Sequence, residues 1–75
     1  MNFGVELEQE IDGRWIAEIP EIPGVLAYGL TPLQAGARAR ALALRVLADR
    51  IENEASIPGI NSIAFVDQYE PVAVN

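Results

Sequence analysis

Cysteine, histidine and lysine are all missing from the sequence, and each absence excludes a kind of chemistry. Without cysteine the chain has no disulfide, no thiolate nucleophile and no cysteine-ligated zinc. Without histidine it lacks the commonest general base and metal ligand. Without lysine it can form neither a Schiff base nor a P-loop. Any catalysis would depend on carboxylates, hydroxyls and arginines, and we expect no enzymatic activity and no cofactor.

Positive charge is also scarce, with five basic residues against eleven acidic ones and a net charge of −6. A nucleic-acid backbone requires clustered positive charge, so we expect no direct DNA binding and a basic protein as the partner. No apolar run approaches the ~20 residues of a membrane span, and no basic segment precedes one as in a signal peptide. These absences predict a cytoplasmic protein without membrane contact.

A chain of 75 residues forms one domain, which we assign to residues 1–75. Its hydrophobic fraction of 51% suffices for a packed core, although a domain of this size buries little surface. Because neither disulfides nor metal ions reinforce that core, we expect the chain to form a homo-oligomer, either a dimer or a tetramer.

The order of secondary structure elements follows from hydrophobic periodicity and from the positions of proline and glycine. Apolar segments predict strands over residues 1–9, 14–19, 25–28 and 62–68. An alanine-rich segment without proline predicts a helix from Pro32 to about Asn53. The fold is then α+β, a single β-β-β-α-β domain. Three antiparallel strands form a meander, a fourth strand lies parallel to the first, and one long helix packs on one sheet face.

The first hairpin loop decides which residues share a face of the sheet, because a one-residue slip turns every side chain over. A two-residue turn of Asp12 and Gly13 would place charges among the apolar residues. A loop of residues 11–13, with Gly13 in the left-handed conformation, instead pairs Leu7 with Ala17. We predict the three-residue loop.

The start of the helix is well defined in the sequence. Thr31 can cap it, Pro32 has no N–H to leave unpaired, and Gln34 completes a capping box. Gly36 weakens the second turn by roughly 1 kcal/mol relative to alanine, unless another group packs closely there.

Projection at helical pitch gives the helix two adjoining apolar regions, which is more than one small sheet needs to cover. The first contains Leu33, Ala37, Leu44, Leu47, Ala48 and Ile51. The second contains Ala35, Ala39, Leu42, Ala43 and Val46. Our candidate self-association residues are Ala39, Leu42, Ala43 and Val46 of this region, together with Arg40, which projects near Leu33, Leu44 and Leu47. The alternative is that alanine is present only as a good helix former. Arg40 either extends to the edge of the core or meets a carboxylate across an interface.

The two faces of the predicted sheet differ in polarity. We expect the helix to cover the apolar face, which contains Val5, Leu7, Trp15, Ala17 and Ile19. The opposite face contains our candidate partner-binding residues, namely Glu6, Glu8, Arg14, Ile16 and Glu18. Trp15 could act as a hot spot for a partner, but its place in the alternation favours core packing.

An ordered set of residues in the first part of the chain resembles the HicB-like antitoxin family. It comprises Asp12-Gly13-Arg14-Trp15-Ile16-Ala17-Glu18-Ile19-Pro20-Glu21-Ile22-Pro23-Gly24, then Ala27, Gly29-Leu30-Thr31 and Gln34-Ala35. An acidic-glycine hairpin is followed by an aromatic residue and an Ala-x-x-Pro-x-x-Pro-Gly segment. The chain departs from the family pattern at Val25, at Leu30 and at residues 33–34, where cysteine, aspartate and two glutamates are frequent.

The resemblance implies a partial ribonuclease H-like fold without a nuclease site. It also implies an antitoxin function, with a small basic toxin of the HicA type, an mRNA-cleaving protein, as the partner. Antitoxins of this family usually carry a C-terminal DNA-binding domain. We expect none here, because the sequence up to Asn75 contains no such segment.

Two alternatives remain open. The chain could instead be a self-assembling structural or regulatory module with an unknown partner. It could also be a metal-dependent nuclease, because ribonuclease H-like nucleases bind divalent metals with acidic groups such as Glu6, Glu8, Glu18 and Asp67 here. The net negative charge opposes RNA binding, so we assign no catalytic, cofactor-binding or metal-binding residues.

Overall fold

The computed structural model describes residues 1–54 and 61–69 of the chain. Within these residues the elements follow the order β1 (Asn2–Gln9), β2 (Trp15–Glu18), β3 (Leu26–Gly29), α1 (Pro32–Glu54) and β4 (Ala64–Tyr69). The loop around Pro58 and Gly59 and the tail beyond Tyr69 lie outside the described residues. No helix of the described part combines the length and apolar character that crossing a membrane requires.

The four strands form one mixed sheet in the order β3-β2-β1-β4. Strand β2 is antiparallel to both β1 and β3, whereas β4 is parallel to β1. With α1 packed on one face, the predicted α+β fold is confirmed. Leu7 pairs with Ala17 and Gln9 pairs with Trp15, so the predicted register of the first hairpin is confirmed as well.

The hairpin loop between β1 and β2 has the predicted three residues. Its ends are joined by a hydrogen bond from the Glu10 N–H to the Arg14 carbonyl at 2.7 Å. Gly13 donates its N–H to the Glu10 carbonyl at 2.9 Å and has a φ of +90°. Glycine adopts this left-handed conformation without the steric penalty of a side chain, and the loop therefore sets the register of the hairpin.

A second tight turn connects β2 to β3. The Val25 N–H donates to the Ile22 carbonyl at 3.2 Å, and Gly24 has the positive φ of +86° that a type II turn requires. In the same segment, the Glu21 carboxylate accepts a hydrogen bond from the Gly4 N–H at 3.2 Å. The Glu21 side chain thus provides a hydrogen-bond acceptor for β1 beyond the last residues that pair with β2.

One cluster of buried side chains lies between α1 and the sheet. It contains Phe3, Val5, Leu7, Ala17, Ile19, Ile22, Val25, Ala35, Ala39, Ala43 and Leu47. Trp15 packs against this cluster and is half-buried. The helix therefore covers the sheet face that the alternation predicted.

The helix packs on the sheet through the region that we had predicted for self-association. Ala39 and Ala43 are fully buried in the core, so they offer no surface to a second subunit. Leu42 and Val46 pack partly against the same core. Small alanine side chains let the helix lie close to the larger strand residues of the core. The exposed side of α1 is instead the first region apart from the buried Leu47, and Leu33 there is 77% exposed.

Arg40 forms an ion pair within its own chain, with 2.7 Å between its Nη1 and Oδ1 of Asp67 on β4. The carboxylate that pairs with Arg40 therefore belongs to β4 of the same chain and not to a second subunit. This contact ties α1 to an edge strand.

The start of α1 follows the predicted capping pattern with one difference. Thr31 Oγ1 accepts a hydrogen bond from the Gln34 N–H at 3.1 Å. The Gln34 side chain accepts from the Leu30 N–H at 2.7 Å, one residue before the N–H that a capping box satisfies. Gln34 therefore bonds the segment that leaves β3 as well as capping the helix.

Two glycines near this end of the helix have different surroundings. A Cβ at Gly29 would lie 2.5 Å from the Ala35 nitrogen, so β3 and the first turn of α1 are in direct backbone contact. A Cβ at Gly36 would lie 3.5 Å from the Arg40 guanidinium, which is an ordinary contact distance. Glycine is needed for close approach at the first position and not at the second.

Candidate protein-binding surface

The sheet face opposite α1 brings all five predicted partner-binding residues together. We call it the open face, and it consists of Glu6, Glu8, Arg14, Ile16, Glu18, Leu26, Tyr28, Val66 and Gln68. The alternation of side chains along each strand places these residues on one side of the sheet. The described helix lies on the other side.

Three carboxylates give the open face its charge. Glu6 lies opposite Glu18 in the β1–β2 ladder, and Glu8 lies opposite Ile16. Residues directly opposite have Cβ atoms about 5 Å apart, where like charges are destabilising. The ion pairs among the described residues join Arg14 to Asp12 and Arg40 to Asp67, and these three carboxylates take no part in them. A cationic side chain from a partner would relieve their mutual repulsion.

Apolar side chains flank these carboxylates on both sides. Ile16 lies half-buried on the central strand β2. Leu26 and Tyr28 on β3 are each 40% exposed, and Val66 on β4 is 52% exposed. Exposed apolar side chains next to charged groups are typical of a surface that binds another protein.

Sequence reasoning missed three of these side chains, namely Leu26, Tyr28 and Val66. The signal was present, because each alternates with a less exposed neighbour on the helix side, such as Ala27 or Phe65. The alternation of side chains was used to divide only the first two strands into faces. Extending it to β3 and β4 would have completed the surface.

Arg14 is compensated within its own chain. Its Nε lies 2.8 Å from Oδ2 of Asp12, and its guanidinium carbon lies 4.8 Å from the centroid of the Tyr28 ring. The backbone N–H of Arg14 also donates to Oδ1 of Asp12 at 3.1 Å. This backbone hydrogen bond, followed by that of the side chain, holds the pKa of Asp12 below its usual value. Arg14 therefore does little to neutralise the glutamates, and the open face stays acidic.

A shallow groove of about 270 Å³ lies at the end of β3, lined by Arg14, Tyr28, Gly29, Leu30, Gln34 and Arg38. Arg38 Nη1 donates to the Tyr28 carbonyl at 2.9 Å. Gln34 Oε1 accepts from the Leu30 N–H. Side chains of α1 thus occupy two backbone groups of the groove, which leaves fewer groups for a ligand.

Trp15 lies on the helix side of the sheet, away from the open face. It packs against the buried cluster, and its ring meets that of Tyr69 edge-on with 6.1 Å between the centroids. This position supports the interpretation of Trp15 as a core residue.

No three metal-ligating side chains come together among residues 1–54 and 61–69. Comparison with protein-family models, with curated proteins and with solved structures gives no match to this chain. The resemblance to HicB-like antitoxins therefore depends on the residues that carry it.

Proposed function

We propose that this chain is a non-enzymatic protein-binding module of the HicB-like kind, which neutralises a small basic toxin of the HicA type in the cytoplasm. The open face is the proposed docking surface. One observation carries the proposal. The carboxylates of Glu6, Glu8 and Glu18 lie beside exposed apolar side chains on a sheet face that α1 leaves uncovered.

The two kinds of side chain have different roles in such a complex. Carboxylates attract a basic protein at a distance, which raises the association rate and selects against acidic partners. Apolar side chains such as Tyr28 and Leu26 supply the burial that slows dissociation. A surface with both suits a protein partner better than a small cation.

Neutralisation follows from competition for the same basic surface. A protein that cleaves mRNA must present positive charge to the phosphates of its substrate. An acidic face docked there excludes RNA without any reaction of its own. This explains why a binding module without histidine, cysteine or lysine can inhibit a nuclease.

The test is to mix the purified chain with a HicA-type toxin encoded beside its gene. Isothermal titration calorimetry measures the complex, and an mRNA-cleavage assay measures protection. We expect a complex at micromolar concentration that weakens as salt is added. We also expect mRNA to remain intact when the chain is in excess.

Matched charge reversals locate the surface. Glu8→Lys or Glu18→Lys on the open face should weaken the complex by ~10-fold or more, because each places a positive charge against a basic partner. Glu52→Lys changes the same charge on the exposed side of α1 and should leave binding almost unchanged. Absence of a complex refutes the antitoxin function, and equal effects of the three variants refute the docking surface.

A further inference from the structure

The sheet has two edges, and side chains of α1 occupy two backbone groups at the one formed by β3. The Ile19 N–H donates to the Val25 carbonyl, so the alternation of the antiparallel ladder directs the backbone groups of Tyr28 outward. Nη1 of Arg38 donates a hydrogen bond to the outward Tyr28 carbonyl at 2.9 Å. The next outward N–H, that of Leu30, donates a hydrogen bond to Oε1 of Gln34 at 2.7 Å. A short, capped strand of this kind resists pairing with another chain.

The other edge, β4, has no such protection among the described residues. Ala64 donates its N–H to the Met1 carbonyl at 2.9 Å, so the alternation of the parallel ladder directs the backbone groups of Phe65 and Asp67 away from β1. Within the described part of the chain no hydrogen bond reaches these outward groups. The six-residue strand contains no proline, glycine or lysine, the residues that commonly blunt an exposed edge.

The side chains of β4 are also suited to contact with another chain. Val66 is 52% exposed and Tyr69 is 61% exposed, on opposite faces of the sheet. The one acidic side chain of the strand, Asp67, is already paired with Arg40 at 2.7 Å. Its charge is therefore partly compensated within the chain, because the pair is itself partly exposed.

We propose that β4 is the interface of a homodimer, in which β4 of a second copy pairs antiparallel with it across a two-fold axis at Val66. The two sheets then form one continuous sheet of eight strands. In this register residues 64–68 of the two strands pair with one another, and Tyr69 lies opposite Ile63 of the second copy. Phe65 lies opposite Asp67 of the second copy. The backbone N–H and carbonyl of each residue, which point outward in the single chain, then form hydrogen bonds with those of the other.

Neighbouring registers that keep the same side chains on each face are less favourable. Centring the pair on Asp67 would place two like charges directly opposite each other, which is destabilising. Centring it on Phe65 would pair only residues 64–66 of the two strands. The register at Val66 pairs five residues of each β4 and opposes an apolar residue to itself.

The dimer would keep the proposed docking surface accessible. A two-fold axis perpendicular to the sheet leaves both helices on one side and both open faces on the other. Although Val66 belongs to both surfaces, the oligomeric state and toxin binding are measured separately, and either can fail without the other.

The first test measures the oligomeric state of the full chain by light scattering and sedimentation velocity at micromolar concentration. We expect a dimer. Val66→Lys should raise the dissociation constant by at least ~10-fold, because it places two positive charges against each other at the two-fold axis. Leu26→Lys is the matched control on the capped edge β3 and should remain dimeric. A monomeric wild-type chain overturns the proposal, and so does a dimer that Val66→Lys leaves intact.

The second test uses cysteine, which the chain lacks. Val66 and its copy occupy a non-hydrogen-bonded pair, with Cα atoms about 4.5 Å apart, which a disulfide can span. Val66→Cys should form a covalent dimer under mild oxidation, whereas Leu26→Cys should stay monomeric on a denaturing gel. Cross-linking of Leu26→Cys alone would move the interface to β3 and refute the assignment.

Discussion

The two edge strands of the sheet, β3 and β4, differ in what the single helix does for them. At β3 the side chains of Gln34 and Arg38 occupy backbone groups. At β4 the contact from the helix is the ion pair of Arg40 with Asp67, which leaves the outward backbone groups unpaired within the described residues. One helix thus occupies backbone groups at the end of one edge strand and none of the outward groups described for the other.

Geometry explains this asymmetry. Strands lie about 4.8 Å apart, so four strands span roughly 15 Å between the outer axes, whereas a helix with its side chains is about 10 Å wide. The backbone contact at Gly29 places the start of α1 over β3. The fourth strand then lies beyond the reach of most helix side chains.

Gly29→Ala should give the largest effect, because it disrupts the contact that places α1 over β3. The new Cβ would lie 2.5 Å from the Ala35 nitrogen, and backbone would have to move. We expect the free energy of unfolding in urea to fall by about 2–3 kcal/mol. Gly36→Ala is the control and should raise it by up to about 1 kcal/mol, since its Cβ fits and alanine favours the helix. Equal effects of the two substitutions would show that close approach does not decide the position of the helix.

Arg38→Ala should open the capped edge. The variant removes the hydrogen bond to the Tyr28 carbonyl, and we expect a loss of about 1 kcal/mol in urea unfolding. Arg45→Ala removes the same side chain from an exposed position of the same helix and should change stability by less than half as much. A comparable loss in both variants would mean that the cap contributes nothing specific.

Arg40→Gln tests the contact of α1 with the open edge. The pair with Asp67 is partly exposed, with side chains 28% and 42% accessible, so we expect a loss of less than ~1 kcal/mol that shrinks as salt is added. A double-mutant cycle with Asp67→Asn isolates the pair, because the loss should disappear in the Asp67→Asn background. Strictly additive losses would contradict the interaction.

The smallest expected effect is the loss of stability on acidification that comes from Asp12. This residue lies in the loop that places Arg14 beside Tyr28. The pKa of Asp12 is lowered in the folded chain by its hydrogen bonds from Arg14. The stability that it contributes is present above the unfolded pKa and is lost as the pH falls through the lowered folded pKa. The difference in unfolding free energy between the wild type and Asp12→Asn should therefore shrink on acidification. A difference independent of pH would show that the carboxylate makes no titrating contribution.

Most of the fold could be predicted because its signals are local. Gly13 adopts the left-handed conformation that a three-residue hairpin loop needs, and Thr31 caps α1 as its neighbours in sequence indicate. The alternation along β1 and β2 placed Glu6, Glu8 and Glu18 on the open face correctly. These features depend on residues a few positions apart.

The helix faces could not be assigned in the same way. Both apolar regions of α1 satisfy the helical period, and the prediction that Ala39 and Ala43 serve self-association is wrong because both are buried. Ala39 and Ala43 are buried because small side chains let the helix lie close to the sheet, whereas the larger Leu33 and Leu44 are left exposed. Hydrophobicity alone favours the opposite choice.

Local chemistry along the chain was enough to determine the strands, the turns, the helix and the polarity of each sheet face. The assembled fold alone decided which helix face is buried, that Arg40 reaches Asp67, and which edge of the sheet is capped. These outcomes depend on distances between residues far apart in sequence. Such distances exist only once the helix has packed on the sheet.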